Sequence, residues 1–220
     1  MIPRCPVWIF DLDNTLHDAD PHIFPHINRA MQQYIETHLQ LDAHAAGSLR
    51  QHYWQRYGAT LLGLMRHHQT DPRHFLAETH RFHELERMVV FHHAVKAMLA
   101  RLPGKKLLYS NGPMRYAGAI LDITGMTPFF DAVYTVESTR FLPKPSLRGF
   151  RLLLNAEKLN PHCCVMVEDS LANLLSAKRL GLKTVWVSRS TRQPPYVDAR
   201  IPSVLALPHF LRRFYRDSFP

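Results

Sequence analysis

Residues 7–16 read VWIFDLDNTL, an apolar run that ends in two aspartates one residue apart. The run is rich in β-branched and aromatic residues and does not alternate with polar ones, which is typical of a strand buried on both faces of a parallel sheet. Two carboxylates at the end of such a strand repel each other, so a nearby cation is needed to balance them. The stretch therefore predicts a buried strand that ends at a charged site.

Four later runs have the same apolar character and extend the predicted sheet. They are KLLYS (106–110), AVYTV (132–136), CVMV (164–167) and TVWVS (184–188). Helical spacing of apolar residues lies between the later runs, over 114–123, 146–159 and 170–181. This alternation of strands and helices predicts an α/β fold with a doubly wound, Rossmann-like parallel sheet.

The segment 19–95 has a different pattern, because it contains no convincing strand. Apolar residues recur there at helical spacing, as in Phe24, Ile27 and Met31. We predict that 19–95 is an inserted α-helical cap domain, and that 1–18 and 96–220 form the α/β catalytic core. The alternative is that these helices simply cover one face of the sheet.

Composition limits the class of protein. The chain has 220 residues, of which 46% are hydrophobic, enough for a core with an insert. No apolar run approaches the ~20 residues of a membrane span, and the N-terminus lacks a signal-peptide pattern, so we expect a cytoplasmic protein with no membrane partner. The three cysteines, Cys5, Cys163 and Cys164, are expected to be buried thiols.

The net charge of +9 fits an anionic substrate or nucleic acid. The basic residues are scattered, and the one dense run is LRRFYR (211–216) near the C-terminus. We therefore do not expect nucleic-acid binding, although a non-catalytic nucleic-acid-binding protein that uses this basic tail stays the alternative from another functional class.

Polar residues follow the predicted strands at the sheet edge where parallel strands end, which is where ligands bind. The first strand is followed by Asp11, Asp13 and Thr15; later strands and loops bring the polar set Ser110, Asn111, Lys144, Glu168 and Asp169. Crowded carboxylates tolerate each other around a hard dication, and Mg²⁺ prefers oxygen ligands. We predict Mg²⁺-dependent phosphoryl transfer, in which one carboxylate attacks phosphorus while the metal and the lysine neutralise charge. The second aspartate would protonate the leaving oxygen and then activate water.

Each candidate also has a plain structural interpretation. The pair of aspartates is compatible with an ordinary turn, and Ser-Asn-Gly is common turn chemistry. The acidic pair before Ser170 suits the N-terminus of the following helix. Coincidence of all these features at the ends of the predicted strands favours the catalytic interpretation.

Four motifs, in order, resemble those of the haloacid dehalogenase (HAD) superfamily of aspartate-nucleophile hydrolases. They are DLDNT (11–15), the serine of LLYSNG (107–112), the lysine of FLPKPS (141–146) and VMVEDSLANL (165–174). The resemblance implies that Asp11 is the nucleophile and a metal ligand, and that Asp13 is the general acid/base and binds the metal through its carbonyl. It implies further metal ligands in Asp169 and in Glu168, the latter directly or through water. It also implies that Ser110 and Lys144 bind the phosphoryl group, that Lys144 restrains Asp11, and that Thr15 and Asn111 support the phosphate site. An acid at Asp13 favours a phosphatase, since dehalogenating members of the superfamily lack it.

The sequence also resembles one branch of that superfamily, the pyrimidine 5′-nucleotidase-like proteins, notably in YWQRYGATLLGL (53–64) and RLPGKKLLYSNG (101–112). This resemblance implies a small phosphorylated metabolite, a nucleoside 5′-monophosphate such as UMP or CMP, as the substrate. Tyr57 and Gly58 lie in a glycine-broken turn of the cap and are candidate substrate contacts, with cap packing as the equal alternative. The alternative substrates are phosphoglycolate and sugar phosphates, and we expect a monomer or a homodimer.

Overall fold

The computed structural model describes residues 6–209, and within that range six strands form one parallel sheet. The strands are β1 (Val7–Phe10), β2 (Lys106–Tyr109), β3 (Ala132–Tyr134), β4 (Cys164–Glu168), β5 (Lys183–Val187) and β6 (Ala199–Ile201). Their order across the sheet is β3-β2-β1-β4-β5-β6, with β1 hydrogen-bonded to both β2 and β4. The predicted doubly wound α/β fold is confirmed.

Helices connect the strands in chain order. Six lie between β1 and β2: α1 (Ile23–Leu39), α2 (Ala43–Tyr57), α3 (Thr60–His68), α4 (Pro72–Thr79), α5 (Leu85–Met88) and α6 (Ala94–Arg101). Three follow later strands: α7 (Met114–Thr124), α8 (Leu147–Ala156) and α9 (Leu171–Arg179). Both α7 and α9 stop beside glycines with positive φ, Gly125 at 66° and Gly181 at 93°, a backbone conformation that glycine adopts without a steric penalty.

Burial on both faces explains why the strands read as continuous apolar runs. In β1, Trp8 and Phe10 join the apolar cluster on one face, whereas Val7 and Ile9 join the cluster on the other. All four residues are buried, so no polar alternation is possible in this strand. The central position of β1 therefore fixes where its carboxyl end, and the aspartates after it, must lie.

The inserted helices have an apolar cluster of their own. It includes Tyr53 of α2, Leu61 of α3 and Phe75 of α4, and it also contains Val136 from the loop after β3. The helix α1 joins the two regions, because Ile23 packs in the sheet cluster while Ile35 packs in the helical one. The division of the chain into cap and core stays a prediction.

The structure differs from the sequence-based expectations at one strand, and some of those expectations fall outside the described residues. The pattern gave no signal for β6, a three-residue strand at the edge of the sheet. Cys163 and Cys164 are buried free thiols as expected, whereas Cys5 and the basic run 211–216 lie outside the described residues. Within the described range, no helix combines the length and apolarity needed to cross a bilayer.

Candidate active site

The carboxyl ends of β1, β2 and β4 lie side by side and carry the predicted polar residues. Asp11 follows β1, Ser110 follows β2, and Glu168 ends β4. Asp11 is 6% exposed, and Ser110 and Glu168 are almost completely buried. The loop after β3 brings Lys144, which is 1% exposed, into the same cluster.

The ammonium group of Lys144 lies between two carboxylates. It donates to Oδ1 of Asp11 at 2.6 Å and to Oε2 of Glu168 at 2.8 Å. A third bond goes to the backbone carbonyl of Tyr109, at 2.8 Å, so all three N–H donors are used. Burial by itself lowers the pKa of Lys144, but the charges of Asp11 and Glu168 outweigh it and raise that pKa. The lysine is therefore held as a cation.

Asn111 holds the loop that carries Lys144. Its Oδ1 accepts from the backbone N–H of Lys144 at 2.8 Å, and its Nδ2 donates to the backbone carbonyl of Lys144 at 3.0 Å. Both polar atoms of the amide are thus used to position the lysine across the gap between the loops after β2 and β3. The predicted contact of Asn111 with substrate stays a prediction.

Three carboxylates meet closely enough to share a cation. Ligand oxygens of Asp11, Glu168 and Asp169 all lie within 4.8 Å of one another. Burial, with the charge of Glu168 next, raises the pKa of Asp11 to about 7, and burial also raises the pKa of Glu168 to about 7. One lysine does not balance three carboxylates, so these residues fit a hard divalent cation such as Mg²⁺.

The backbone of Asp169 is held in place by a tryptophan. The indole N–H of Trp186, on β5, donates to the backbone carbonyl of Asp169 at 2.8 Å. The neighbouring carboxylate of Glu168 accepts from the backbone N–H of Ser170 at 3.1 Å, as expected where acids precede a helix. The acidic pair is therefore held by β5 on one side and by the start of α9 on the other.

The first motif bends sharply so that Asp13 leaves the strand direction. Asn14 has φ = 58°, in the left-handed region, and the N–H of Leu16 bonds to the carbonyl of Leu12 at 2.9 Å. The hydroxyl of Thr15 points back and donates to Oδ2 of Asp11, at 3.3 Å. The turn thus keeps Thr15 on the nucleophile candidate while Asp13 faces another set of partners.

Two residues that the sequence did not reveal bind Asp13. The hydroxyl of Tyr116, on α7, donates to Oδ1 of Asp13, and Nε2 of His17 bonds to the same oxygen at 3.0 Å. His17 lies four residues after Asp13, a spacing that could have indicated a contact. Tyr116 is 103 positions away, and no local pattern connects the two.

The second motif is packed tightly around its glycine. The N–H of Gly112 donates to Oγ of Ser110 at 3.0 Å, which leaves the serine O–H available as a donor. A Cβ on Gly112 would lie 2.7 Å from Cδ1 of Tyr116 and 3.3 Å from Oγ of Ser110. Only glycine fits between the serine and the tyrosine ring.

The turn between α2 and α3, where the candidate substrate contacts Tyr57 and Gly58 lie, packs against the loop that carries Lys144. Gly58 has φ = 79°, and a Cβ there would lie 3.2 Å from Cδ of Pro145, the residue after Lys144. The hydroxyl of Tyr57 instead bonds Nε2 of His67 at 2.6 Å, within the helical insertion. The structure therefore brings Gly58 to the rim of the site, whereas the substrate roles of Tyr57 and Gly58 stay predictions.

A cavity of about 700 Å³ lies beside Tyr116. It is lined by residues of α7 and of the segment that follows α4, among them His80, Arg81, Phe82 and Arg115. The volume is within the range of small-molecule sites.

Comparison with known proteins finds relatives of low sequence identity. The curated protein "Phosphate metabolism protein 8" of Saccharomyces cerevisiae is 23% identical over 197 residues, which cover 82% of this chain but 60% of that protein. A HAD phosphatase from Thermococcus onnurineus has a similar structure, with a TM-score of 0.63, 21% identity and coverage of 94% of this chain and 97% of the other.

The fold is shared equally well with dehalogenases. L-2-haloacid dehalogenase from Xanthobacter autotrophicus, with chloropropionic acid covalently bound, aligns with a TM-score of 0.61, 17% identity and coverage of 94% and 98% of the two chains. At these identities the structural likeness establishes the fold alone. The family model for haloacid dehalogenase-like hydrolases matches residues 7–181, a range that holds Asp11, Asp13, Ser110, Lys144, Glu168 and Asp169, and the chain therefore belongs to the haloacid dehalogenase-like hydrolase family.

Proposed function

We propose that this hydrolase is a Mg²⁺-dependent phosphatase that acts on small phosphomonoesters through an aspartyl-phosphate on Asp11. The observation that carries the proposal is the second acid, Asp13, whose carboxylate is anchored by His17 and Tyr116 instead of being paired with Lys144. A nucleophile and a separate acid/base on one turn suit ester hydrolysis. Resemblance to a protein named for phosphate metabolism supports the same chemistry.

The first chemical step uses Asp11 and Asp13. A carboxylate oxygen of Asp11 attacks phosphorus, the bond from phosphorus to the ester oxygen breaks, and Asp13 gives its proton to that departing oxygen. Lys144 lies 2.6 Å from Asp11 and restrains it, while its charge reduces the repulsion between carboxylate and phosphate. Mg²⁺ bound among Asp11, Glu168 and Asp169 would supply further neutralisation of the phosphoryl oxygens.

The second step regenerates the enzyme. Asp13, now a carboxylate, takes a proton from a water molecule, whose oxygen attacks phosphorus. The bond between phosphorus and Asp11 breaks, inorganic phosphate forms, and Asp13 holds the proton again for the next cycle. We assign the O–H of Ser110 to a phosphoryl oxygen, because the hydroxyl oxygen already accepts from Gly112 and its proton is left to donate.

For the substrate we propose a nucleoside 5′-monophosphate. This choice of substrate rests on the resemblance of 53–64 and 101–112 to pyrimidine 5′-nucleotidase-like proteins. The cavity beside Tyr116 does not support it, because Asp11, Ser110 and Lys144 are not among its lining residues. Phosphoglycolate or a sugar phosphate is the alternative, since the chemistry at Asp11 is the same for each of them.

We also propose that 19–95 is a cap that closes over this site. Two contacts support it: Gly58 of the α2–α3 turn lies against Pro145, and the ring of Phe82 stacks on Tyr116 with centroids 5.6 Å apart. Lids of this kind exclude water and contribute specificity.

The test is phosphate release from a panel of UMP, CMP, dTMP, purine nucleotides, phosphoglycolate and hexose phosphates, with Mg²⁺ and with chelator. We expect metal-dependent release that is fastest with pyrimidine nucleotides. Asp11→Asn should abolish turnover, whereas the control Asp71→Asn, which keeps an equally good helix cap on α4, should not change it. Phosphate release from sugar phosphates alone would overturn the assignment of a nucleotide as the substrate. Phosphate release by Asp11→Asn at a near-normal rate would refute the assignment of Asp11 as the nucleophile.

A further inference from the structure

The two oxygens of Asp13 have different surroundings. Oδ1 receives the hydroxyl of Tyr116 and Nε2 of His17, the latter at 3.0 Å. Across residues 6–209, Oδ2 accepts no hydrogen bond from another side chain or from the backbone. The side chain of Asp13 is 15% exposed, so its unbonded oxygen is the one open to a ligand.

His17 is suited to hold Oδ1 and little else. Its side chain is fully buried, and its Nδ1 has no hydrogen-bond partner among the described residues. Because Oδ1 of Asp13 accepts here, the neutral imidazole carries its proton on Nε2, and Nδ1 is left with a bare lone pair. A buried lone pair without a partner costs less than a buried N–H without one, so this tautomer fits the site.

The ring of Tyr116 is locked on both sides. One side lies against Gly112, where a Cβ would come within 2.7 Å of the ring. The other side meets two residues that follow α4, with Phe82 stacked at 5.6 Å and His80 at 5.7 Å between centroids. Tyr116 is 2% exposed, so its hydroxyl has little freedom to leave Asp13.

We propose that Tyr116 and His17 are positioning residues that fix Oδ1 of Asp13 and so direct Oδ2 to the oxygen of the leaving group. This inference rests on the phosphatase function proposed above. The proton that Oδ2 gives to the leaving oxygen is replaced by one from the attacking water, and Tyr116 and His17 keep their own protons throughout. The stack with Phe82 and His80 makes this orientation depend on the segment between α4 and α5.

The test compares two esters that differ in their need for an acid. UMP, or whichever alkyl phosphate the wild type hydrolyses fastest, releases a strongly basic alkoxide that needs a proton, whereas 4-nitrophenyl phosphate releases a weakly basic phenolate. Tyr116→Phe keeps the ring packing and removes one hydrogen-bond donor to the carboxylate of Asp13. We expect this variant to lose roughly 10- to 100-fold in kcat/KM with the alkyl ester. The loss with 4-nitrophenyl phosphate should be several-fold smaller.

Three further variants make the comparison specific. Tyr134→Phe is the matched control, because it removes a tyrosine hydroxyl that donates to Glu157 at 2.7 Å, away from the site; its ratio between the two esters should equal that of the wild type. His17→Gln, which offers an amide N–H near the position of Nε2, should recover much of the alkyl-ester activity that His17→Leu loses.

The outcomes separate this inference from the proposed function. A larger loss with the alkyl ester in Tyr116→Phe, with rescue by His17→Gln over His17→Leu, supports the positioning role. Equal losses with both esters, or none, in a Tyr116→Phe protein that unfolds like the wild type would overturn it while leaving the phosphatase intact. A wild-type protein that hydrolyses neither ester would overturn the proposed function, and this inference with it.

Discussion

Replacing Lys144 by methionine should destabilise the protein strongly, because it removes the cation from a buried acidic cluster. The ammonium group bonds to Asp11 at 2.6 Å and to Glu168 at 2.8 Å, and the lysine is 1% exposed. Methionine fills a similar volume but offers neither charge nor donor. The two carboxylates, with Asp169 beside them, would then be buried without the positive charge of the lysine.

The magnitude follows from the geometry. Removing one partner of a buried ion pair costs about 3–5 kcal/mol, since the remaining charge stays desolvated. For a chain of this size each kcal/mol lowers the melting temperature by about 2–4 °C, so we expect a fall of roughly 6–20 °C. Added Mg²⁺ should restore part of the loss, because it neutralises the same carboxylates.

The assay is urea unfolding in chelator and again in Mg²⁺, with Lys178→Met as the control. Lys178 also bonds a carboxylate, Asp198 at 2.6 Å, but its side chain is 35% exposed, so its loss should cost less than about 1 kcal/mol. If Lys144→Met in chelator were no less stable than Lys178→Met, the cluster would not depend on its lysine and the electrostatic argument would fail.

Three other predictions test separate parts of the site. Asp13→Asn should lower kcat by about 10²–10⁴-fold while urea unfolding stays near wild type, since an amide oxygen still accepts from its two neighbours; a rate near wild type contradicts the acid/base role. Gly58→Ala should cost about 1–2 kcal/mol in urea unfolding, because φ is 79° and the new Cβ meets Pro145 at 3.2 Å, and an unchanged midpoint would show that the turn relaxes. Burial lowers the pKa of His80 to about 4 from an ordinary 6.5, so between these two pH values the unfolded chain binds a proton that the folded chain does not. Stability should therefore fall as pH drops through that window, and His80→Gln should flatten the curve; equal slopes would refute this.

The parallel sheet and the position of its charged edge could be predicted from local patterns, whereas the order of its strands could not. The run before Asp11 is apolar on both faces, and this is a direct result of the central place of β1. The edge strand β6 has three residues, too few for a period to emerge. The other edge strand, β3, also has three residues, but it lies within the apolar run 132–136 and was predicted. Apolar runs thus identify strands, and a short strand without such a run is missed.

Side-chain partners were less accessible than side-chain types. The sequence suggested an acid at Asp13 but not that Tyr116 holds it, because that contact depends on how α7 packs against the loop after β1. Asn111 was expected near phosphate, and only the three-dimensional structure reveals that its amide is used on the backbone of Lys144. Such contacts follow from tertiary packing, which spacing along the chain does not encode.

The bond between Trp186 and the backbone of Asp169 gives the site a built-in fluorophore. Trp186 is 8% exposed and its indole N–H bonds directly to a residue of the acidic cluster. Trp8 is completely buried and bonds Pro103, whereas Trp54 is 61% exposed and would dominate emission at long wavelengths. In a Trp54→Phe background Trp8 and Trp186 both emit, but only Trp186 bonds to the acidic cluster. A change in emission on addition of a cation would therefore report the loading of the cluster without substrate or turnover.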